Sequence, residues 1–171
     1  MSVELLLEGG LYGHLNHLYD NPDMSFKVMK KVFSTASSGE LIGTEKTDGQ
    51  NLYISYSVRD GKAKAARNKG NIKQGGMDAA GLAAKFGGRG ALEKAFTESF
   101  AAFEQAVNQF TPEQQVQIFG EDANIFYNAE VMDPGNPNVI NYDTKSLVIH
   151  QQGHSEFDRE TGNVTDADVS K

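Results

Sequence analysis

A chain of 171 residues with 39% hydrophobic and 23% charged residues is long enough to bury a core and has an ordinary globular composition. Its net charge of −7 argues against sequence-independent coating of nucleic acid. It has no cysteine, which excludes disulfides, thiolate metal sites and a thiol nucleophile, and no apolar run long enough to span a membrane, so a cytoplasmic setting without a membrane partner is expected.

The first 24 residues read as an irregular lead-in, with turn chemistry at Asp20-Asn21-Pro22-Asp23. Ser25 is placed to cap a helix whose apolar residues Phe26, Met29, Val32 and Phe33 share one face, and Ser37-Ser38-Gly39 ends it. From Leu41 the period changes to two. Leu52, Ile54, Tyr56 and Val58 alternate with Tyr53, Ser55 and Ser57, as in a half-buried strand. Asp60-Gly61 is a hairpin turn, and Lys62–Arg67 returns as the partner strand.

A glycine-rich stretch (Gly70, Gly75, Gly76) lacks a phosphate-loop pattern and reads as a flexible linker into a helix near Met77–Phe86. The next helix carries Leu92, Phe96, Phe100, Phe103, Val107 and Phe110 as one apolar stripe, which is core rather than a binding box. Thr111-Pro112-Glu113-Gln114 is a capping box that starts another short helix. Strands follow at Ile125–Met132 and Ser146–Gln151, separated by Pro134, Gly135 and Pro137. The order predicts an α+β fold with helices packed on antiparallel sheet.

Charge is uneven along the chain. Arg59, Lys62, Lys64, Arg67, Lys69 and Lys73 stand against Asp60 alone between positions 59 and 73, whereas the last twenty residues are acidic. A local basic strip on an acidic body suits a site that grips phosphate, or else a solvated basic hairpin. His14, His17 and Asp20 have a spacing that could ligate a metal, but a turn with surface histidines is the simpler reading, and no metal site is expected from these residues.

The most informative segment is Thr44-Glu45-Lys46-Thr47-Asp48-Gly49-Gln50-Asn51, placed between two predicted strands. A lysine amine attacks phosphorus only when neutral, and removing its proton at pH 7 costs roughly 4–5 kcal/mol. Burial or a nearby cation lowers that cost, so the adjacent carboxylates Glu45 and Asp48 need another task, such as base recognition or metal binding. Lys-x-Asp-Gly by itself is a weak signal.

This segment resembles the nucleophile motif of the covalent nucleotidyltransferases, which comprise DNA ligases, RNA ligases and mRNA capping enzymes. Asn51 five residues after the lysine and Glu45 just before it look like the RNA ligase 2 branch, and argue mildly against capping-type guanylyl transfer. The resemblance implies a ligase-type, ATP-grasp-like fold, with Lys46 forming a phosphoramidate with AMP and with ATP and Mg²⁺ (or Mn²⁺) required. Glu45, Asp48, Gly49 and Asn51 are then nucleotide-binding. Arg67 and Lys69, in Ala66-Arg67-Asn68-Lys69-Gly70, match the place of an arginine that contacts phosphate or the nucleic-acid end. Glu130, in Tyr127-Asn128-Ala129-Glu130-Val131-Met132, matches a glutamate that meets the ribose. Glu121, in Phe119-Gly120-Glu121, is the alternative, but Ile125–Met132 supplies the strand that the role needs. His150, at the end of Leu147-Val148-Ile149, falls where the family stacks an aromatic residue on the purine. A histidine after an apolar strand is also an ordinary surface or core residue.

The resemblance covers roughly Leu41 to Gln151, giving residues 1–40 as lead-in and helix, 41–151 as the core, and 152–171 as an acidic hairpin and the start of a further element. The family's later Glu-Gly and Lys-x-Lys motifs have no match, so the core is expected to be incomplete at its C-terminal side and this segment alone to adenylylate weakly or not at all. Thr165-Asp166-Ala167-Asp168 reads as the capped start of a helix. The implied function is ligation of RNA or DNA ends through lysyl-AMP; the alternative is an inactive nucleotide- or nucleic-acid-binding protein that keeps the domain. The Gly13-His14-Leu15-Asn16-His17 wording also resembles bacteriophage proteins bearing this domain, which implies a host cytoplasm.

Overall fold

The computed structural model describes residues 22–41 and 47–167, apart from the side chains of Gln151 and Gln152. Residues His14, His17, Asp20, Glu45 and Lys46 lie outside the described residues. The chain divides between Thr47 and Asp48 into two compact units.

In the first unit, helix α1 spans Phe26–Ser37. The Ser25 hydroxyl accepts the Val28 N–H at 3.4 Å, and beyond the C-cap Ser38 the chain turns through Gly39 with φ 76°. Both boundary signals read from the sequence are used. The apolar face is not covered among the described residues, where Phe26 and Phe33 remain exposed.

The second unit is α+β. Strands β1 (Gln50–Ser57), β2 (Lys62–Ala66), β3 (Ile125–Met132), β4 (Ser146–Asp158) and β5 (Asn163–Ala167) form one sheet in the order β2-β1-β3-β4-β5, with every pairing antiparallel. Between β2 and β3 run α2 (Lys69–Lys73), α3 (Ala79–Phe86), α4 (Ala91–Val107) and α5 (Pro112–Phe119).

Strand alternation fixes what each face meets. Leu52, Ile54 and Tyr56 point with Ala63, Ala65, Ala129 and Val131 toward α3, α4 and α5, which supply Leu82, Phe86, Phe96, Phe100, Phe103 and Phe119. Each fully buried phenylalanine contributes on the order of 2–3 kcal/mol of transfer free energy, so this layer is the main support of the sheet. The opposite face is smaller: Ala66, Phe126 and Phe157 meet Ala123 and the fully buried Ile72 of α2.

Several expectations change. Strand β1 is buried on both faces rather than half-buried, because α2 and the turn before β3 cover the second one. Its polar positions are satisfied there, with the Ser55 hydroxyl donating to the Ile125 carbonyl at 2.6 Å. The Gly70–Gly76 stretch is not a linker. Asn68 caps α2 by accepting the Asn71 N–H at 2.9 Å, and Gly76 packs so closely on Phe126 and Lys64 that a Cβ would sit about 3.0 Å from the Lys64 Cβ. The stripe on α4 stops at Val107, and Phe110 lies beyond the helix and exposed. Strand β4 runs past Gln151 to Asp158, and Thr165–Ala167 belong to β5 instead of opening a helix. The ladder explains both: an irregularity between Tyr127 and Ala129 lets β4 resume pairing with β3, and β5 pairs His154 to Asp158.

Candidate functional site

Glycine at position 49 is required by the packing. A Cβ there would lie 2.6 Å from the Val131 carbonyl oxygen, closer than any side chain permits without a shift. This close approach brings the Gly49 N–H within 2.9 Å of the Glu130 Oε2, which accepts it. Register places Asn51 opposite Glu130 and Tyr53 opposite Asn128, so these side chains share the face turned away from α3–α5. On it, the Asn51 amide donates to the Asn128 Oδ1. The His150 Nε2 is 3.8 Å from Glu130 Oε1, too far for a direct hydrogen bond, and its side chain is 34% exposed. Glu130 is half-buried and keeps Oε1 without a hydrogen-bond donor among the described residues.

Asp48 reaches the loop between β3 and β4. Its carboxylate accepts the backbone N–H groups of Val139 and Ile140, each at 2.6 Å, and the Asn138 amide at 2.7 Å. The Tyr142 hydroxyl in turn takes the Asp48 N–H at 3.1 Å. Asp48 therefore pins the loop between β3 and β4. The same loop is closed at its base by Lys145, whose Nζ lies 3.2 Å from the buried Asp133 and 2.5 Å from Glu98 of α4. The Glu98 carboxyl is held below its usual range by the Lys145 hydrogen bond, and Lys145 is held above its usual range by the same bond and by Asp133. Asn138, Tyr142 and Lys145 have no sequence motif; their partners lie far along the chain, and only the break at Pro134, Gly135 and Pro137 marked the loop.

Half of the basic strip is neutralised by ion pairs. Arg59 pairs with Asp122 at 2.8 Å, Lys64 with Asp60 at 3.1 Å, and Lys69 with the buried Asp166 at 2.6 Å. Lys69 lies on the Tyr53 side of the sheet, and Ser155 also donates to Asp166, at 2.9 Å. Arg67, two residues on from Ala65, shares its face and so goes to the other side, where its guanidinium lies 4.9 Å from the Phe96 ring centre and donates to the Asn51 carbonyl. Burial, and then the Arg89 charge, lower its affinity for a proton, although a guanidinium remains cationic at neutral pH.

The structure thus brings Gly49, Asn51, Glu130 and His150 together, attaches Arg67 through the back of Asn51, and leaves Lys69 in an ion pair. Glu121 is exposed at the far end of β1, where its carbonyl accepts the Arg59 N–H at 3.0 Å. Among the described residues no group of three or more His, Cys, Asp or Glu side chains could hold a metal, and no helix is long and apolar enough to cross a membrane. No protein-family model, curated protein or solved structure matches the chain.

Proposed function

We propose that this chain carries the nucleotide-binding part of a lysine-nucleophile nucleotidyltransferase of ligase type, which joins RNA or DNA ends. Lys46, two positions before Asp48, is the nucleophile in this reading. Its neutral amine attacks the α-phosphorus of ATP, a P–N bond forms, the bond to the β-phosphate oxygen breaks, and pyrophosphate leaves as the nitrogen loses its proton. The AMP then passes to a 5′-phosphate oxygen, and a 3′-hydroxyl displaces it to seal the strand.

The observation that carries the reading is the 2.9 Å bond from the Gly49 N–H to Glu130, which joins the nucleophile-motif segment to the glutamate matched to the ribose contact, 81 positions away. The surrounding face fits a nucleoside. Glu130 Oε1 can accept a ribose hydroxyl, Asn51 and Asn128 offer amide groups, and the His150 ring has an accessible side for a base. Mg²⁺ or Mn²⁺ would polarise the phosphates. With few carboxylates at hand, triphosphate oxygens and water would have to supply most of its ligands, which is ordinary for Mg²⁺. A binding protein without transfer chemistry is the second reading, and the placement of Arg67 on the opposite side of the sheet from Glu130 favours it.

Incubation of the full-length protein with α-labelled ATP separates the two. The first reading expects covalent label that is lost in Lys46→Ala, falls roughly tenfold or more in Glu130→Ala, and is unchanged in Glu121→Ala. Label that persists in Lys46→Ala would overturn it, and absence of label with retained nucleotide binding selects the second.

A further inference from the structure

We propose that Asn128 is a positioning residue of the nucleotide site, holding the Asn51 amide away from Glu130 and so keeping Glu130 Oε1 open to ligand. Asn128 is the buried polar side chain of β3, at 3% exposure, while Asn51 and Glu130 on the same face are half-buried. A ligand on this face therefore meets Asn51 and Glu130 rather than Asn128. A buried amide in a strand costs stability unless it is hydrogen-bonded, and the side-chain bond that satisfies Asn128 comes from Asn51.

The register offers the Asn51 amide two acceptors. Asn51 stands directly opposite Glu130, whereas Asn128 stands opposite Tyr53, so the contact between Asn51 and Asn128 runs diagonally across the ladder. Directly opposed side chains start about 5 Å apart, and diagonal ones farther. The nearer acceptor is also the charged one, and a charge-assisted hydrogen bond is the stronger kind. Even so, the Asn51 Nδ2 donates to Asn128 Oδ1 and makes no hydrogen bond to Glu130. Glu130 Oε2 is engaged by the Gly49 N–H, and Oε1 keeps no donor among the described residues. The Arg67 guanidinium holds the Asn51 carbonyl from the far side of the sheet, so the backbone is fixed there and the Asn51 rotamer decides between the two acceptors. Asn128 sets that rotamer. Without its oxygen, the Asn51 amide swings onto Glu130 and occupies the acceptor that a nucleotide needs.

This role rests on the nucleotide-binding part of the reading above and not on AMP transfer. The probe is therefore an ATP analogue with a methylene bridge between the α- and β-phosphorus, which cannot release pyrophosphate. The full chain is titrated with it as wild type, Asn128→Leu, Asn128→Asp, Asn51→Ala and the double variant of Asn128→Leu with Asn51→Ala, each checked by a thermal melt. Asn128→Leu replaces a buried amide by an apolar side chain of similar size, so it should melt near wild type yet bind roughly tenfold more weakly. Asn128→Asp keeps an acceptor oxygen in the same place and should restore most of the affinity. In the double variant no amide is left to cover Glu130, so its affinity should equal that of Asn51→Ala and exceed that of Asn128→Leu. Unchanged affinity in Asn128→Leu, or losses that multiply in the double variant, overturns the role of Asn128 and leaves the nucleotide reading standing. No binding by the wild type overturns that reading and the role together. Should Asn128→Leu fail to fold, the unliganded wild type decides by NMR: one proton of the Asn51 side-chain amide should exchange slowly with water, and fast exchange of both overturns the contact.

Discussion

The Asp48 carboxylate accepts the Ile140 N–H at 2.6 Å across 92 positions of chain, and through this bond the residue before Gly49 anchors the loop that joins β3 to β4. Val139, its other backbone partner, is 88% exposed, so little packing holds the loop there. The carboxylate is therefore a direct restraint on this stretch. Hydrogen bonds to a charged acceptor are worth about 1.5–3 kcal/mol when buried, and these exposed ones fall at or below the lower end. Asp48→Ala should lower the amide-exchange protection of Val139 and Ile140 about tenfold and global stability by about 1 kcal/mol. Asp48→Asn, which keeps one acceptor oxygen, should lie between. Unchanged protection at both amides in Asp48→Ala would remove the anchoring role.

How much of this was legible in the sequence depended on the range of the interaction. The capping box at Thr111-Gln114 and the Asp60-Gly61 turn are local bonds between near neighbours, and both are found as read. The alternation of Leu52, Ile54 and Tyr56 also identified the core face, because a strand has only two sides. Phe110 failed because helical spacing was extended past the end of the helix at Val107. The Gly70–Gly76 helix failed because one buried residue, Ile72, supplies through tertiary packing what a five-residue segment lacks in propensity. Thr165-Asp166 looks like a helix cap by composition, yet Asp166 turns inward to Lys69 and Ser155, partners that no window around it contains. The pairing of Arg59 and Lys69 within the basic strip was hidden for the same reason, since their acidic partners Asp122 and Asp166 come from distant segments.

Helix α3 gives a pH-dependent prediction. Its N-cap Asp78 accepts the Gly81 N–H at 2.9 Å, and this backbone hydrogen bond holds the carboxyl below its usual range, with Lys62 and Lys64 assisting. A carboxyl with a lowered value in the folded chain stabilises fully above its unfolded value, about 3.9, and the contribution is lost as pH falls through the lowered one. Asp78→Ala should therefore cost about 1 kcal/mol at pH 7, as N-cap removals do. The gap between the urea midpoints of wild type and Asp78→Ala should shrink as pH is taken below about 3.9. A gap that stays constant over that range would mean that the negative charge contributes nothing to the cap.

The demand for glycine at position 49 separates packing from chemistry. Alanine there would place a methyl carbon 2.6 Å from the Val131 carbonyl oxygen and 3.0 Å from the Met132 Cγ. The Met132 side chain can give way, but the carbonyl is part of β3, which also pairs with β4, so β1 must move instead. Overpacking of this kind costs typically about 1–3 kcal/mol, which for a chain of this size lowers the melting temperature by roughly 2–12 °C. The displacement also draws the Gly49 N–H away from Glu130 Oε2, so nucleotide affinity should fall along with stability. Glu130→Gln provides the contrast, because it keeps one oxygen acceptor for that N–H while the charge is removed and the second oxygen becomes an NH2 donor. It should leave the melting temperature within about 2 °C of wild type while still weakening nucleotide binding. If Gly49→Ala melted like wild type, the close approach of the Asp48-Gly49 turn to β3 would not hold in solution, and the pairing of the two motif segments would lose its physical basis.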